Sequence, residues 1–493
     1  VIIRGAIPPA AQKGDRFDID VRVADGTETS SLEHGWLMSA RLRERAILNN
    51  ELHTGHIAAI AQGSVLCDAA FDSSGDSVLL QRGRILGGGV VQLERPLGLR
   101  MRTEHVSVKT SSMIGTAINE RFHDFDRGTK RGLANPTRDS YIELKVHSRY
   151  RQNVARYIQV VRHITVGETP VERQNRITEL EKKLFEPTTS QRAALELEAI
   201  GASSGAPILR RALTASDPEV QFYAAESLAY LDDPEAIPAL LDTARSERAF
   251  RWRAMLALSL LEQFAAQEAL LELMNTSSAE TRYGAFHALH TANPRDPSVA
   301  GELLDDELAL HQVQTTGEPL IHLSRAKRPE IVLFGLGQKL EGLNFVFAGK
   351  DIIIKRHTPQ SVKITRYSTD GDVSEVCSTD LADVIRTVSK LKGDYADIMQ
   401  AINEAKSKGH LAARLEVGAL PRRGRTYKRS ERPDEDQPAD SSTESDAIPD
   451  LFLDRLKSDS ERPDDPVETD FAEEVPSARK RPWYDRVTAW MVE

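Results

Sequence analysis

Cysteine is almost missing from this chain. Cys67 and Cys377 are the only two, which excludes a disulfide framework, and their separation excludes a local metal knuckle. They can pair only if the fold brings opposite ends of the chain together; two isolated thiols fit the sequence equally well. No run of about 18 or more apolar residues occurs, so no segment is written to cross a membrane as a helix. Positive charge is not in excess: at a net charge of −10, no nucleic-acid partner is expected. An initiator Met and a signal peptide are also absent. Val1-Ile2-Ile3 reads as the middle of a strand, so the chain is expected to begin downstream of a natural N-terminus, and the missing leader leaves the compartment open.

Catalytic patterns are missing too. Gly87-Gly88-Gly89 follows a strand pattern, but Val90 and Val91 come next where a phosphate-binding loop needs Lys and Ser or Thr, so a bulge or tight turn is the better reading. His53 and His56, and His287 and His290, are pairs three residues apart without a third ligand nearby in sequence. No carboxylate pair stands out for acid–base work. No catalytic, cofactor-binding or metal-binding residue is therefore assigned, and an enzyme survives only if scattered histidines converge in space.

What the chain does have is length and repetition. Its 493 residues, 40% hydrophobic and 28% charged, suffice for several domains with substantial cores. The triplets Ala194/Leu197/Ile200, Ala225/Leu228/Leu231, Met255/Leu258/Leu261 and Phe286/Leu289/Ala292 recur about every 31 residues with the spacing of one helix face. A second series follows: Ile208/Leu209, Leu240/Leu241, Leu270/Leu271 and Leu303/Leu304. Breakers lie between the series at 201–205, Asp232-Asp233-Pro234 and Asn293-Pro294, so each unit reads as helix, turn, helix. Residues 189–305 resemble HEAT repeats, in which stacked helix pairs share a core that no single pair could bury.

Strand patterning flanks this block. Val1-Ile2-Ile3, Phe17/Ile19/Val21/Val23, Leu37 to Leu42, Ile57 to Cys67 and Val106/Val108 predict short strands, with Ser73 to Asp76 a turn leading into Val78-Leu79-Leu80. Ser112 to Phe122 reads as helix, Tyr141 to Val146 as strand, Val154 to Val161 as helix and Ile164 to Val166 as strand. Residues 1–167 thus form one α+β region and 168–188 a linker helix. After the repeats, Ile331 to Phe334, Phe345 to Phe347, Ile352 to Ile354 and Val362/Ile364 are strands. Two helices follow over Leu381 to Leu391 and Ile398 to Ala405, with Asp380 as an N-cap and Gly393 and Gly409 as terminators; residues 329–418 form a second α+β region closing on Leu411 to Val417. From Pro421 the chain carries a basic cluster (Arg422, Arg423, Arg425, Lys428, Arg429, Arg432) and then a Pro/Asp/Glu/Ser-rich stretch expected to be a disordered tail, 421–493. Apolar islands at Ile448 to Leu456 and Pro482 to Val492 interrupt it; the second, beside Arg479, Lys480 and Arg481, fits a docking peptide or a membrane-surface contact as well as a solvated end. The expected fold class is α+β: strand-rich, ring-forming regions flanking an α-helical HEAT-like solenoid.

Local runs in the first region resemble the flagellar P-ring protein family: Ile7 to Ile19 around Pro8, Pro9, Gly14 and Asp18; Ser31 to Leu37 around Gly35; Ala58 to Gly63 ending in Gln62-Gly63; Gly83 to Glu94 with Arg84; and Thr116 to Phe122 with Asn119. Leu381 to Ile385, Asp397 to Ile402 and Ala405 to Leu415, including Gly409, are similar to the family's final helices. The family's N-terminal segment is absent here, and its Pro-Asn after Arg-Ile is Leu86-Gly87. The resemblance implies a structural subunit of a homo-oligomeric periplasmic ring in the flagellar basal body. It also implies the rod, the L-ring proteins and peptidoglycan as neighbours and no cofactor. Pro8, Pro9, Gly14, Asp18, Gly35, Gln62, Gly63, Arg84, Asn119 and Gly409 would set turns, strand ends or contacts. The alternative is an envelope adaptor that binds an unidentified partner through the repeats.

Overall fold

The computed structural model describes residues 1–48, 51–71, 77–369, 371–422 and 424–427. The expected turn at Ser73 to Asp76, the tail from Lys428 onward with its islands, and Arg423 lie outside the described residues.

Period-two patterning builds the first sheet. Strands β1 (Ile2–Gly5), β2 (Arg16–Arg22), β3 (Trp36–Leu48), β4 (Glu51–Ser64), β5 (Leu66–Cys67) and β6 (Arg82–Val91) pair in the order β1-β2-β6-β4-β3, with β5 also on β6. Phe17, Ile19, Val21, Ala59, Ala61, Ile85 and Val91 alternate into its core. The β2–β6 register shifts between Phe17 and Ile19, where β6 spends extra residues, so the triple glycine is a bulge. Val78 to Leu80, expected as strand, lie in the short helix α1 (Ser77–Leu80).

A smaller lobe follows, with β7 (Leu97–Arg100), α2 (Val108–Arg121), the hairpin β8 (His123–Asp126) and β9 (Thr129–Gly132), β10 (Ala134–Arg138), β11 (Tyr141–Leu144) and α3 (Val154–Arg162). Val108 opens α2 instead of continuing a strand because Ser107 caps the helix, accepting a hydrogen bond from the Thr110 amide. The expected strand at Ile164 to Val166 is not formed; the segment is the connection from α3 into the next helix.

The helical block comprises α4 (Pro170–Leu184), α5 (Ser190–Ile200), α6 (Ala202–Ala212), α7 (Pro218–Tyr230), α8 (Ile237–Ser246), α9 (Arg251–Leu258), α10 (Phe264–Leu273) and α11 (Ala279–Ala292). The first apolar series falls on α5, α7, α9 and α11, and most of the second on α6, α8 and α10. Leu303 and Leu304 are the exception: they lie in strand β12 (Gly301–Leu304), paired with β13 (Leu308–Val313) around a turn at Asp305 and Asp306, both at positive φ. A Leu-Leu pair fits helix or strand, and the turn residues after it decide for the hairpin. The 168–188 segment is helical but is more than a linker, because Ile177, Leu180 and Leu184 of α4 are buried in the same core as Leu197 and Leu228.

Beyond β13 come β14 (Leu320–Leu323), β15 (Glu330–Phe334), β16 (Phe345–Ala348), β17 (Ile352–Thr358), β18 (Ser361–Arg366), β19 (Val373–Ser378), α12 (Leu381–Lys390), α13 (Tyr395–Ser407) and β20 (Arg414–Val417). They form a mixed sheet β12-β13-β15-β14-β20 and an antiparallel meander β16-β17-β18-β19, which share a core with α12 and α13. Asp380 caps α12 as expected, its side chain accepting from the Ala382 amide. At the end of α12, however, Lys392 and not Gly393 takes the left-handed conformation (φ 66°). The folded chain also runs past Val417. Tyr427 stacks on Phe250 with ring centroids 4.9 Å apart, and Arg425 pairs with Glu280 at 2.8 Å, so the start of the expected tail is strapped along the helical block.

Candidate assembly region and its buried joints

The motif residues of the first region are mostly gathered on one sheet. Gly14 sits at the turn into β2 with φ 94°, its amide donating to the Val91 carbonyl, and Pro8 and Pro9 precede it in a turn where the Pro8 carbonyl accepts from Ala11. Gly35 precedes β3, Gln62 and Gly63 lie at the end of β4, and Arg84 of β6 pairs with the buried Asp20 at 2.7 Å. Asn119 lies in the second lobe, where its side chain bridges α2 to the backbone of Ala134 with bonds of 2.8 and 2.7 Å. Gly409 is remote from all of these, just beyond α13 with φ 75°. These positions are spread over turns, strand ends and two lobes, and together they do not form a single cleft.

Asp18 is different, because it ties this sheet to the far end of the chain. Its carboxylate accepts from the Gly87 amide at 2.8 Å and from the Lys327 amide at 2.9 Å. Gly87 holds φ 59°, and a Cβ there would lie 2.4 Å from the Lys327 carbonyl, so the bulge admits the loop only because the residue is glycine. Nearby, the Ser64 hydroxyl bonds Asp394 at 3.1 Å, His34 lies 3.5 Å from Asp397, and Leu66 and Leu86 enter the C-terminal core. The two α+β regions thus close directly on each other. Residues 1–178 match the flagellar P-ring protein family. Residues 177–260 match the HEAT-repeat family, and no curated protein matches the chain. The P-ring-like part therefore takes in the first sheet, the second lobe and the start of α4, ending where the HEAT-repeat match begins.

That boundary is where a second joint is buried. Arg156 of α3, in the P-ring-like part, reaches Glu198 of α5 at 2.6 Å, Glu226 of α7 at 2.6 Å and the Ser227 hydroxyl at 2.8 Å. Arg253 of α9 also holds Glu226, its Nε 2.9 Å from Oε1, and Tyr150 donates to Glu198 at 2.6 Å. Burial alone would lower the Arg156 pKa and raise that of Glu226, but the opposite charges outweigh it: Glu198 and Glu226 hold Arg156 above its ordinary value, and Arg156 and Arg253 hold Glu226 below its own. Arg156, Glu198 and Glu226 are thereby neutralised out of reach of water, and the partly exposed Arg253 closes the network on its outer side.

A third joint couples α11 to the mixed sheet, and here histidines do converge. Tyr283 donates to Glu330 at 2.9 Å, Arg328 Nε bonds the same carboxylate at 2.9 Å, and His311 lies 3.6 Å from it. His322 stacks on Tyr283 and accepts from the Ala419 amide at 3.1 Å, while His290 packs between Phe286 and His311, with Arg328 at 3.5 Å and Lys327 bonding His287 on the next turn. Among the described residues, no three His, Cys, Asp or Glu side chains stand where they could hold a metal ion. His53 and His56 lie on the exposed part of β4. Cys67 and Cys377 are both free.

The third joint is acid-sensitive. Burial pushes His322 down to about 3 against the pull of Glu330, burial with Arg328 and His311 pushes His290 down to about 4, and burial also lowers His311. The unfolded chain takes up these protons as pH falls through about 6.5, whereas the folded chain refuses them until the depressed values are reached. Stability is thus complete above neutrality and is lost on acidification. His322 alone is expected to withdraw about 2 kcal/mol between pH 7 and pH 5. Denaturant unfolding at both pH values checks this, with His322→Phe expected to flatten the difference; equal stability of the unaltered chain at pH 7 and 5 contradicts it.

Proposed function

We propose that the chain is a structural subunit of the flagellar basal-body P-ring: copies associate head to tail into a closed periplasmic annulus around the rod, serving motility as a bushing. The supporting observation is the flagellar P-ring match over residues 1–178, whose first sheet packs directly on the C-terminal region that holds α12 and α13. Such a subunit works by shape and stiffness, so no residue of it is catalytic. Its neighbours are other copies, the rod, the L-ring proteins and peptidoglycan. The helical block carries apolar positions shared with both flanking cores, which fits an internal brace better than an appended module. Purified basal bodies are expected to contain the protein, and a deletion strain to lack a ring around the rod. Normal rings in that strain overturn the reading.

A further inference from the structure

After its last strand the chain lies on the helical block in the manner of a bound peptide. Gly418 turns off β20 at φ 62°, its amide donating to the Leu323 carbonyl at 2.9 Å, and Gly424 follows at φ 77°. Residues 418–422 and 424–427 belong to no helix or strand. Three side chains of this strap nevertheless have seats at α9 and α11. Pro421 is buried in a notch over Gly284, where a Cβ on the glycine would lie 2.6 Å from Pro421 Cγ and 2.7 Å from Met255 Sδ. Arg425 pairs with Glu280 at 2.8 Å, one turn before Gly284 on the same face of α11. Tyr427 stacks on Phe250 at the start of α9. Two main-chain bonds accompany them, from the Ala419 amide to His322 at 3.1 Å and from the Arg422 amide to Glu280 at 3.3 Å.

The seat is held by residues other than the strap. Glu280 accepts at 3.2 Å from Arg251, a buried guanidinium that also donates to the Ala244 and Arg245 carbonyls. Phe250 stacks on Phe222 with centroids 4.2 Å apart and meets Tyr223 edge-on. Met255 is buried in the helical core, and Gly284 is fixed by the backbone of α11. Each anchor point keeps its position through contacts within the block, so the seat is preorganised for an extended segment. The strap, in contrast, has no element of its own to hold it once these contacts open.

We propose that the notch between α9 and α11 is a docking site for an extended segment of the pattern Pro-x3-Arg-x-Tyr, and that the chain's own Pro421 to Tyr427 fills it as an exchangeable ligand. The proline enters where glycine leaves room, the guanidinium meets Glu280, and the tyrosine ring lies on Phe250. Tethering keeps the strap at a high effective concentration, so a competing segment docks only when the strap has opened. The strap thereby guards this face of the block, whether or not the chain builds a ring.

The test uses the full chain and a fluorescent peptide of the sequence Gly418 to Tyr427. Pro421→Ser, Arg425→Glu and Tyr427→Ala together are expected to vacate the site, with circular dichroism matching the unaltered chain because the helices keep their own contacts. By fluorescence anisotropy this variant is expected to bind the peptide at least about tenfold more tightly than the unaltered chain does, since no tethered strap competes. A peptide carrying Arg425→Glu and Tyr427→Ala is expected to bind the variant at least about tenfold more weakly than the original peptide. A folded variant that takes up the peptide no better than the unaltered chain, or that takes both peptides equally, overturns the proposal. Hydrogen exchange on the unaltered chain tests the opening without any substitution. The Ala419 and Arg422 amides are expected to exchange at least about tenfold faster than the most protected amides of α9 and α11. A strap that exchanges only together with those helices overturns the proposal as well.

Discussion

Glu226→Gln is expected to destabilise the protein by about 3–5 kcal/mol, although the new side chain has almost the same shape. Glu226 is 1% exposed and is shared by Arg156 and Arg253, so removing its charge leaves the buried Arg156 with Glu198 as its remaining carboxylate and takes from the partly exposed Arg253 the carboxylate it holds. Water reaches Arg253 but not Arg156, so the cost falls on Arg156 and the joint between α3 and the helical block. Hydrogen exchange is the suitable measurement, since a chain of several cores need not melt in one step. Protection is expected to fall in α3, α5, α7 and α9 before it falls in the meander of β16 to β19. Replacing Arg156, Glu198, Glu226 and Arg253 together by apolar residues of similar volume is expected to recover most of the loss, because a buried ionic network is costly to break but not to substitute as a whole. Unchanged exchange in Glu226→Gln contradicts this account.

Leu228→Asp is expected to unfold the helical block. Leu228 is fully buried in the last turn of α7, in a core that runs from Leu184 of α4 to Phe286 of α11 and on to Val332 and Phe334 of the mixed sheet. An unpaired carboxylate there costs on the order of several kcal/mol, and the removal of the leucine side chain adds a cavity cost of about 2–5 kcal/mol. Arg156 and Arg253, which reach Glu226 on the same helix, are already committed to Glu198 and Glu226. Circular dichroism is expected to show loss of helicity and reduced cooperativity; unchanged helicity and melting contradict the prediction.

The helices of the block are readable from residue order because each repeats the last, and a face such as Ala225/Leu228/Leu231 depends only on neighbours one turn away. The block's true ends are not readable in this way. Leu303 and Leu304 satisfy the apolar template of a helix, and only the turn at Asp305 and Asp306 assigns them to β12. Strands β13 and β14 escaped notice because they are buried on both faces and interrupted by His311 and His322, so they show no alternation. The motif residues are legible only by resemblance, and most of them lie in the turns and strands of the first sheet. The joints were invisible: Arg156 meets partners 42 and 70 positions away, and Asp18 meets Lys327 across 309. Nothing in local patterning announces a pairing over such distances, and the scattered histidines gave no hint that α11, β13 and β14 would bring three of them together.

The three joints have a mechanical consequence. The first sheet touches the C-terminal core through Asp18 and Lys327, the second lobe touches the helices through Arg156, and the helices touch the mixed sheet through Tyr283 and Glu330. The chain itself joins the first sheet to the second lobe between β6 and β7, so the four parts close into a loop in which none can swing away without moving its neighbours. A load applied to any one part is passed to the parts on both sides of it around that loop, so it is shared among the joints and not borne by one of them.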